Sequence, residues 1–126
     1  MNILLIEDEP TDRKLAGVVL KTSGHIVRER TSAEEAIEAI AADPPELILL
    51  DLKLPGIDGL ELIRKLKESS ATRDIPIVVM TAFPEWFEKD KTLAAGCDAY
   101  FVKPLNTRTL SRQVAEVVAR KAQGEL

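Results

Sequence analysis

Three stretches of this chain run apolar without alternation: NILLI (2–6), ELILL (46–50) and PIVVM (76–80). Each is far too short to span a membrane as a helix, and none shows the period of two that marks a strand with one wet face. Strands of this kind occupy the centre of a parallel sheet, covered on both sides. HIVRE (25–29) and AYFV (99–102) complete a set of five. HIVRE is more polar and suits a sheet edge.

Amphipathic segments separate the five. In TDRKLAGVVLKTSG the residues Leu15, Val18, Val19 and Thr22 recur at helical spacing, and Gly24 is a stop. SAEEAIEAIAA opens on Ser32 with Glu35 three positions on, a capping-box pattern, and its stripe is Ala33, Ala36, Ile37 and Ile40. IDGLELIRKLKES places Leu60, Ile63 and Leu66 on one side. EWFEKDKTLAAG (85–96) is a weaker pattern that ends on Gly96. A last helix begins near Asn106 and carries Leu110, Val114, Val117 and Val118; its tail, RKAQGEL, is expected to fray into solvent. Strict alternation of strand and helix predicts an α/β fold: a flavodoxin-like (βα)5 doubly wound parallel sheet, strand order 2-1-3-4-5. The 126 residues make a single domain, 1–126, without repeat or linker.

Charge and composition exclude several classes. A net charge of −4 and a pI of about 5.1 imply no strongly basic face, which argues against direct nucleic-acid binding. Cys97 stands alone, so neither an internal disulfide nor a cysteine metal cluster can form, and the lone His25 rules out a histidine-rich site. The opening MNILLIEDEP is no signal peptide, and no apolar run approaches a membrane span. A cytoplasmic location without membrane contact is the default expectation.

Ligands of open α/β sheets bind at the carboxyl ends of the strands, near the switch in strand order. There the first strand delivers Glu7 and Asp8, the third Asp51, the fourth Thr81 and the fifth Lys103, followed by Pro104. Taken singly, each has a plain structural role: an acid or threonine after a strand usually caps a turn or helix, and a lysine is usually solvated. Together they put three carboxylates, a hydroxyl and an ammonium on one edge. Three such carboxylates need a raised pKa or a cation among them. An all-oxygen set favours a hard divalent ion, Mg²⁺ (or Mn²⁺). Asp51 is then placed as a nucleophile toward phosphorus, with Lys103 and Thr81 to neutralise or hydrogen-bond the phosphoryl oxygens.

The pieces LLIEDEP, LILLDLKLPGIDGLEL, PIVVMTA and AGCDAYFVKPL together resemble the receiver domain of two-component response regulators, over essentially the whole chain. The resemblance implies a phosphorylation-controlled switch with no output domain, not an enzyme beyond catalysing its own phosphorylation and dephosphorylation. Asp51 would accept the phosphoryl group from a partner histidine kinase or histidine phosphotransfer protein. Asp8 would bind the metal directly, Glu7 chiefly through water, and the backbone carbonyl of Lys53 would add a ligand. Thr81 and Lys103 would contact the phosphoryl group, Tyr100 would be the aromatic switch, and Lys103–Pro104 would be a cis peptide. Lys53 and Phe83 would flank the path of the hydrolytic water and slow dephosphorylation. The downstream partner is an unknown protein, met by a monomer or by a dimer formed on phosphorylation.

All the aromatics fall between positions 83 and 101. Phe101 is expected in the core, whereas Trp86, Phe87 and Tyr100 are candidates for a partner surface, on the face of helix four, strand five and helix five that the family uses for readout. Two other classes compete. A haloacid-dehalogenase-like Mg²⁺ phosphatase also uses an aspartate after a strand, but needs a second acid where Lys53 stands. A flavin or nucleotide carrier would show a glycine-rich phosphate loop, and the chain has none.

Overall fold

The computed structural model describes residues 1–124. Along it run β1 (Asn2–Ile6), α1 (Pro10–Thr22), β2 (Ile26–Arg30), α2 (Ala33–Ala42), β3 (Leu47–Asp51), α3 (Gly59–Glu68), β4 (Ile77–Thr81), α4 (Lys89–Ala95), β5 (Ala99–Val102) and α5 (Leu110–Ala122). The strands pair in parallel in the order β2-β1-β3-β4-β5, so the expected flavodoxin-like winding is the one found, with polar β2 at an edge. In the RKAQGEL tail the helix closes at Ala122, and residues 125 and 126 lie outside the described residues.

Three strands begin one residue later than their apolar runs, and the cause is at their starts. Pro76 has no N–H and can only accept, which it does from Ile48 at 2.9 Å. Glu46 ties the sheet end to Asn2 through its main chain and its side chain. His25 donates to the Leu20 carbonyl and closes α1 instead of opening β2. At their other ends β3 and β4 keep Asp51 and Thr81 inside the sheet, paired with Met80 and Val102.

Alternate strand residues feed two cores. Leu4, Ile6, Ile48, Leu50, Ile77 and Val79 face α2, α3 and α4, while Ile3, Leu5, Leu47, Leu49, Val78 and Met80 face α1 and α5. Burying one such side chain contributes roughly 1.5–3 kcal/mol. By the same parity Asp51 continues the row of Leu47 and Leu49, toward α1, and Thr81 continues the row of Ile77 and Val79, toward the opposite layer.

The helix faces differ from their apolar patterns. On α1 the buried residues are Ala16, Gly17 and Leu20, whereas Leu15 and Val18 are 44% and 52% exposed. Small residues bring this helix close to the sheet; a Cβ on Gly17 would sit 3.5 Å from the Glu29 carboxylate. On α2, Ala39 turns inward and Ile37 outward, and on α3 Leu62 is fully buried while Leu60 is half-buried. The helix expected over 85–96 shortens to α4. Trp86 and Phe87 N–H groups both bond the Phe83 carbonyl in a separate turn, and Glu88 makes no side-chain cap. Aromatic side chains and a missing cap both weaken a helix start. Likewise α5 starts at Leu110, because the Asn106 side chain accepts from the Arg108 N–H and holds its own turn.

Gly59 sets the height of the β3–α3 loop. A Cβ there would lie 2.7 Å from the Asp51 carbonyl and from the Leu52 Cα, so only glycine lets α3 start against the end of β3. Asp58 caps that start by accepting from the Glu61 N–H at 2.9 Å.

Candidate functional site

The carboxyl edge of the sheet carries a cleft of about 450 Å³ whose walls include Asp8, Asp12, Asp51, Lys53, Phe83 and Lys103. Glu7 lies beneath it, fully buried, and Asp51 is only 5% exposed, while Asp8 is open to solvent. Carboxylate oxygens of Glu7, Asp8 and Asp51 all lie within 4.8 Å of one another. Lys103 reaches this cluster from the end of β5. Its Nζ donates to Glu7 Oε1, to Asp12 Oδ2 at 2.9 Å and to Asp51 Oδ2 at 3.4 Å. The Lys103–Pro104 peptide that precedes α5 is cis.

Electrostatics follow from this packing. Burial pushes the Glu7 carboxyl up to about 8, helped by its hydrogen bond to Asp51 and opposed by Lys103. For Lys103 burial works against the charged form. The hydrogen bonds to Glu7 and Asp12 and the charge of Asp51 outweigh it and hold the ammonium above its ordinary value. The edge thus carries both kinds of compensation that crowded carboxylates require: a raised pKa and an internal cation.

Thr81 is placed differently. It is fully buried, its hydroxyl accepts from the Phe83 N–H at 2.9 Å, and it is not part of the cleft wall. Lys53 leaves β3 with its N–H donating to Asp51 Oδ1 at 3.3 Å, and its ammonium lies 4.4 Å from the centre of the Phe83 ring and 5.3 Å from that of Trp86. Phe83 and Trp86 stack at 4.5 Å. Trp86 is 62% exposed, whereas Phe87 and Tyr100 are half-buried against the core, and the Tyr100 hydroxyl donates to the Phe87 carbonyl at 2.6 Å. Phe101 packs on the α1–α5 core.

Two residues of the edge had no place in the strand-end pattern. Asp12 bonds Lys103, and the Arg13 guanidinium donates to the Glu7 carbonyl at 3.1 Å and the Asp8 carbonyl at 3.3 Å. Both sit in the first turn of α1, behind the Glu9 cap and Pro10. Helical side chains lean toward the helix N-terminus, so residues at this point of α1 lean back over the end of β1. That lean is the signal that strand ends alone do not carry.

The oxygen donor set suits a hard divalent cation: carboxylates from two adjacent strands converge, one of them solvent-exposed, with neither sulfur nor imidazole among them. No helix among the described residues is long and apolar enough to cross a membrane.

A (βα)5 sheet in this order, with three acids and a lysine gathered on its carboxyl edge, defines the CheY-like class of α/β domains. The family model of the response regulator receiver domain matches residues 3–115, and the chain belongs to that family, a component of two-component systems. It is 37% identical over 123 residues to the phosphate regulon transcriptional regulatory protein PhoB of Pseudomonas aeruginosa, covering 98% of this chain and 54% of that one. To the two-component response regulator PhoP of the same organism it is 36% identical over 122 residues, covering 97% and 53%. The chain therefore spans about half the length of these curated relatives. Among solved structures it is similar to a CheY-like response regulator receiver domain protein from Methanospirillum hungatei, at a TM-score of 0.88 and 26% identity, covering 98% of this chain and 97% of that one. It is also similar to the signal receiver domain of a signal transduction histidine kinase from Syntrophus aciditrophicus, at a TM-score of 0.86 and 27% identity, covering 94% and 89%.

Proposed function

We propose that this receiver domain is a switch set by phosphorylation of Asp51, with a histidine kinase or histidine phosphotransfer protein as donor. The observation that carries the proposal is the contact of Lys103 with Asp51 and Glu7 at the floor of an acid-lined cleft. An Asp51 oxygen attacks the phosphorus of a phosphohistidine. The O–P bond forms, the N–P bond breaks, and the departing imidazole nitrogen keeps the electron pair and takes up a proton. In the return step water attacks phosphorus, the O–P bond to Asp51 breaks, and inorganic phosphate leaves.

Glu7, Asp8, Asp51 and the Lys53 backbone carbonyl would hold Mg²⁺ (or Mn²⁺), which when bound neutralises charge on the phosphoryl oxygens. The chain's own residues do the rest. Lys103 brings its ammonium to the oxygens that gain charge. Thr81 gives up its bond from Phe83 N–H and turns its hydroxyl toward the phosphoryl group. That rotation moves the loop carrying Phe83, and Tyr100 follows by changing rotamer. Phosphorylation transmits nothing unless it favours this second arrangement over the first. Trp86, Phe87 and Tyr100, with the α4–β5–α5 face around them, then meet a downstream protein. Lys53 and Phe83, closed over the cleft by their cation–π contact, shield the acyl phosphate from water.

Intact mass after incubation with a small phosphodonor and Mg²⁺ tests the proposal. The parent gains one phosphoryl group and Asp51→Asn gains none; equal gain in both, or gain in neither, rejects Asp51 as acceptor.

A further inference from the structure

We propose that Asp12 is a positioning residue that restrains Lys103, sharing its ammonium with Glu7 and Asp51 at rest and releasing it when Asp51 carries a phosphoryl group. An ammonium has three donors, and here all three are committed to carboxylates. On phosphorylation the bond to Asp51 passes to a phosphoryl oxygen, and a second phosphoryl oxygen gains Lys103 only if another partner lets go. Glu7 is fully buried, so letting it go would leave a carboxyl oxygen without partner or water. The Asp12 side chain is 41% exposed, so water takes its place at little cost. A cavity of about 40 Å³ between Asp12, Leu15, Met80 and Lys103 has room for that water. Of the bonds to Glu7 and Asp12, the one to Asp12 is the cheaper to break.

Charge adds to the same result. Asp12 lines the cleft that the phosphoryl group enters, where a dianion would meet it as a like charge. Both effects oppose the phosphorylated state, so Asp12 sets how readily the switch is thrown without touching the reacting atoms.

The inference rests on the function proposed above, and the test separates the two. Parent, Asp12→Asn and Asp12→Glu chains are titrated with beryllofluoride at saturating Mg²⁺ and followed by ¹⁹F NMR. The Lys103 ammonium is followed by ¹⁵N NMR without the phosphate analogue; tighter binding together with a moved signal is a result that general loss of structure does not give. Asp12→Asn binds beryllofluoride about two- to fivefold more tightly and shifts the Lys103 signal. Asp12→Glu, which keeps the charge, stays near the parent in both. Unchanged or weaker binding by Asp12→Asn, or an unmoved Lys103 signal, overturns the restraint. If the parent fails to bind, or Asp51→Asn binds as well as the parent, the switch reading itself falls and the inference goes with it.

Discussion

At the ends of β1 and β3, charge is buried and each group has a partner: Glu7 and Asp51 are closed off from water, and Lys103 bonds both. A few residues past β4 the reverse holds. Trp86 is 62% exposed, the turn from Phe83 rests on two backbone bonds, and α4 is a seven-residue helix without a side-chain cap. The contrast fits the division of work proposed above. Groups that act on a phosphoryl group must be held close to their working positions. A segment that reports the event must be inexpensive to move. Lys53 belongs to both regions, since its N–H bonds Asp51 and its ammonium rests on Phe83 and Trp86.

The harshest way to break the contrast is to remove the shared cation. Lys103→Met leaves Glu7, Asp12 and Asp51 without it, and the metal-free domain should lose about 3 kcal/mol or more in urea denaturation. Mg²⁺ should restore part of that loss. A metal-free variant as stable as the parent would show that the edge does not depend on its internal cation.

Next comes pH. Glu7 is raised from 4.5 to about 8 in the folded chain, so between those values the folded state binds a proton that the unfolded state has released. The contribution is complete below 4.5 and is lost as pH rises through 8, so metal-free stability should fall by more than ~1 kcal/mol across that window. Mg²⁺ favours the ionised carboxylate and should flatten the slope. Denaturation midpoints from pH 5 to 8.5, with and without Mg²⁺, measure it; a metal-free domain that gains stability with pH contradicts the burial argument.

The exposed side offers smaller effects. Phe83→Ala opens the path of water to the acyl phosphate and should speed self-dephosphorylation several-fold, followed by decay of the phosphorylated mass. Equal or slower decay counts against the shield. Finally, Trp86 fluorescence should change when Mg²⁺ and beryllofluoride bind together, and Tyr100→Ala should abolish the change. The same response in both chains removes Tyr100 from the coupling.

Much of this was legible along the chain because parallel strands write their burial plainly. The uninterrupted runs at 2–6, 46–50 and 76–80 lie within one residue of the central strands, and Glu7, Asp8 and Asp51, which follow the first two, form the cleft and its buried floor. Helix faces were less legible. Apolar spacing points to Leu15 and Val18, but α1 packs through Ala16 and Gly17, whose small size is the reason they are chosen. The length of α4 depends on a local contest between helix and the Phe83 turn, which periodicity does not register. Asp12 escaped because strand ends locate what the sheet presents, whereas this residue leans in from the first turn of a helix.

The account depends most on one carboxylate carrying the phosphoryl group. Borohydride cleaves an acyl phosphate and leaves the acceptor aspartate as homoserine, which peptide mass spectrometry locates. After phosphorylation in Mg²⁺, homoserine should appear at position 51 alone. Its appearance at Asp8 or Asp12 instead, or nowhere in a chain whose mass has risen by one phosphoryl group, would contradict the account.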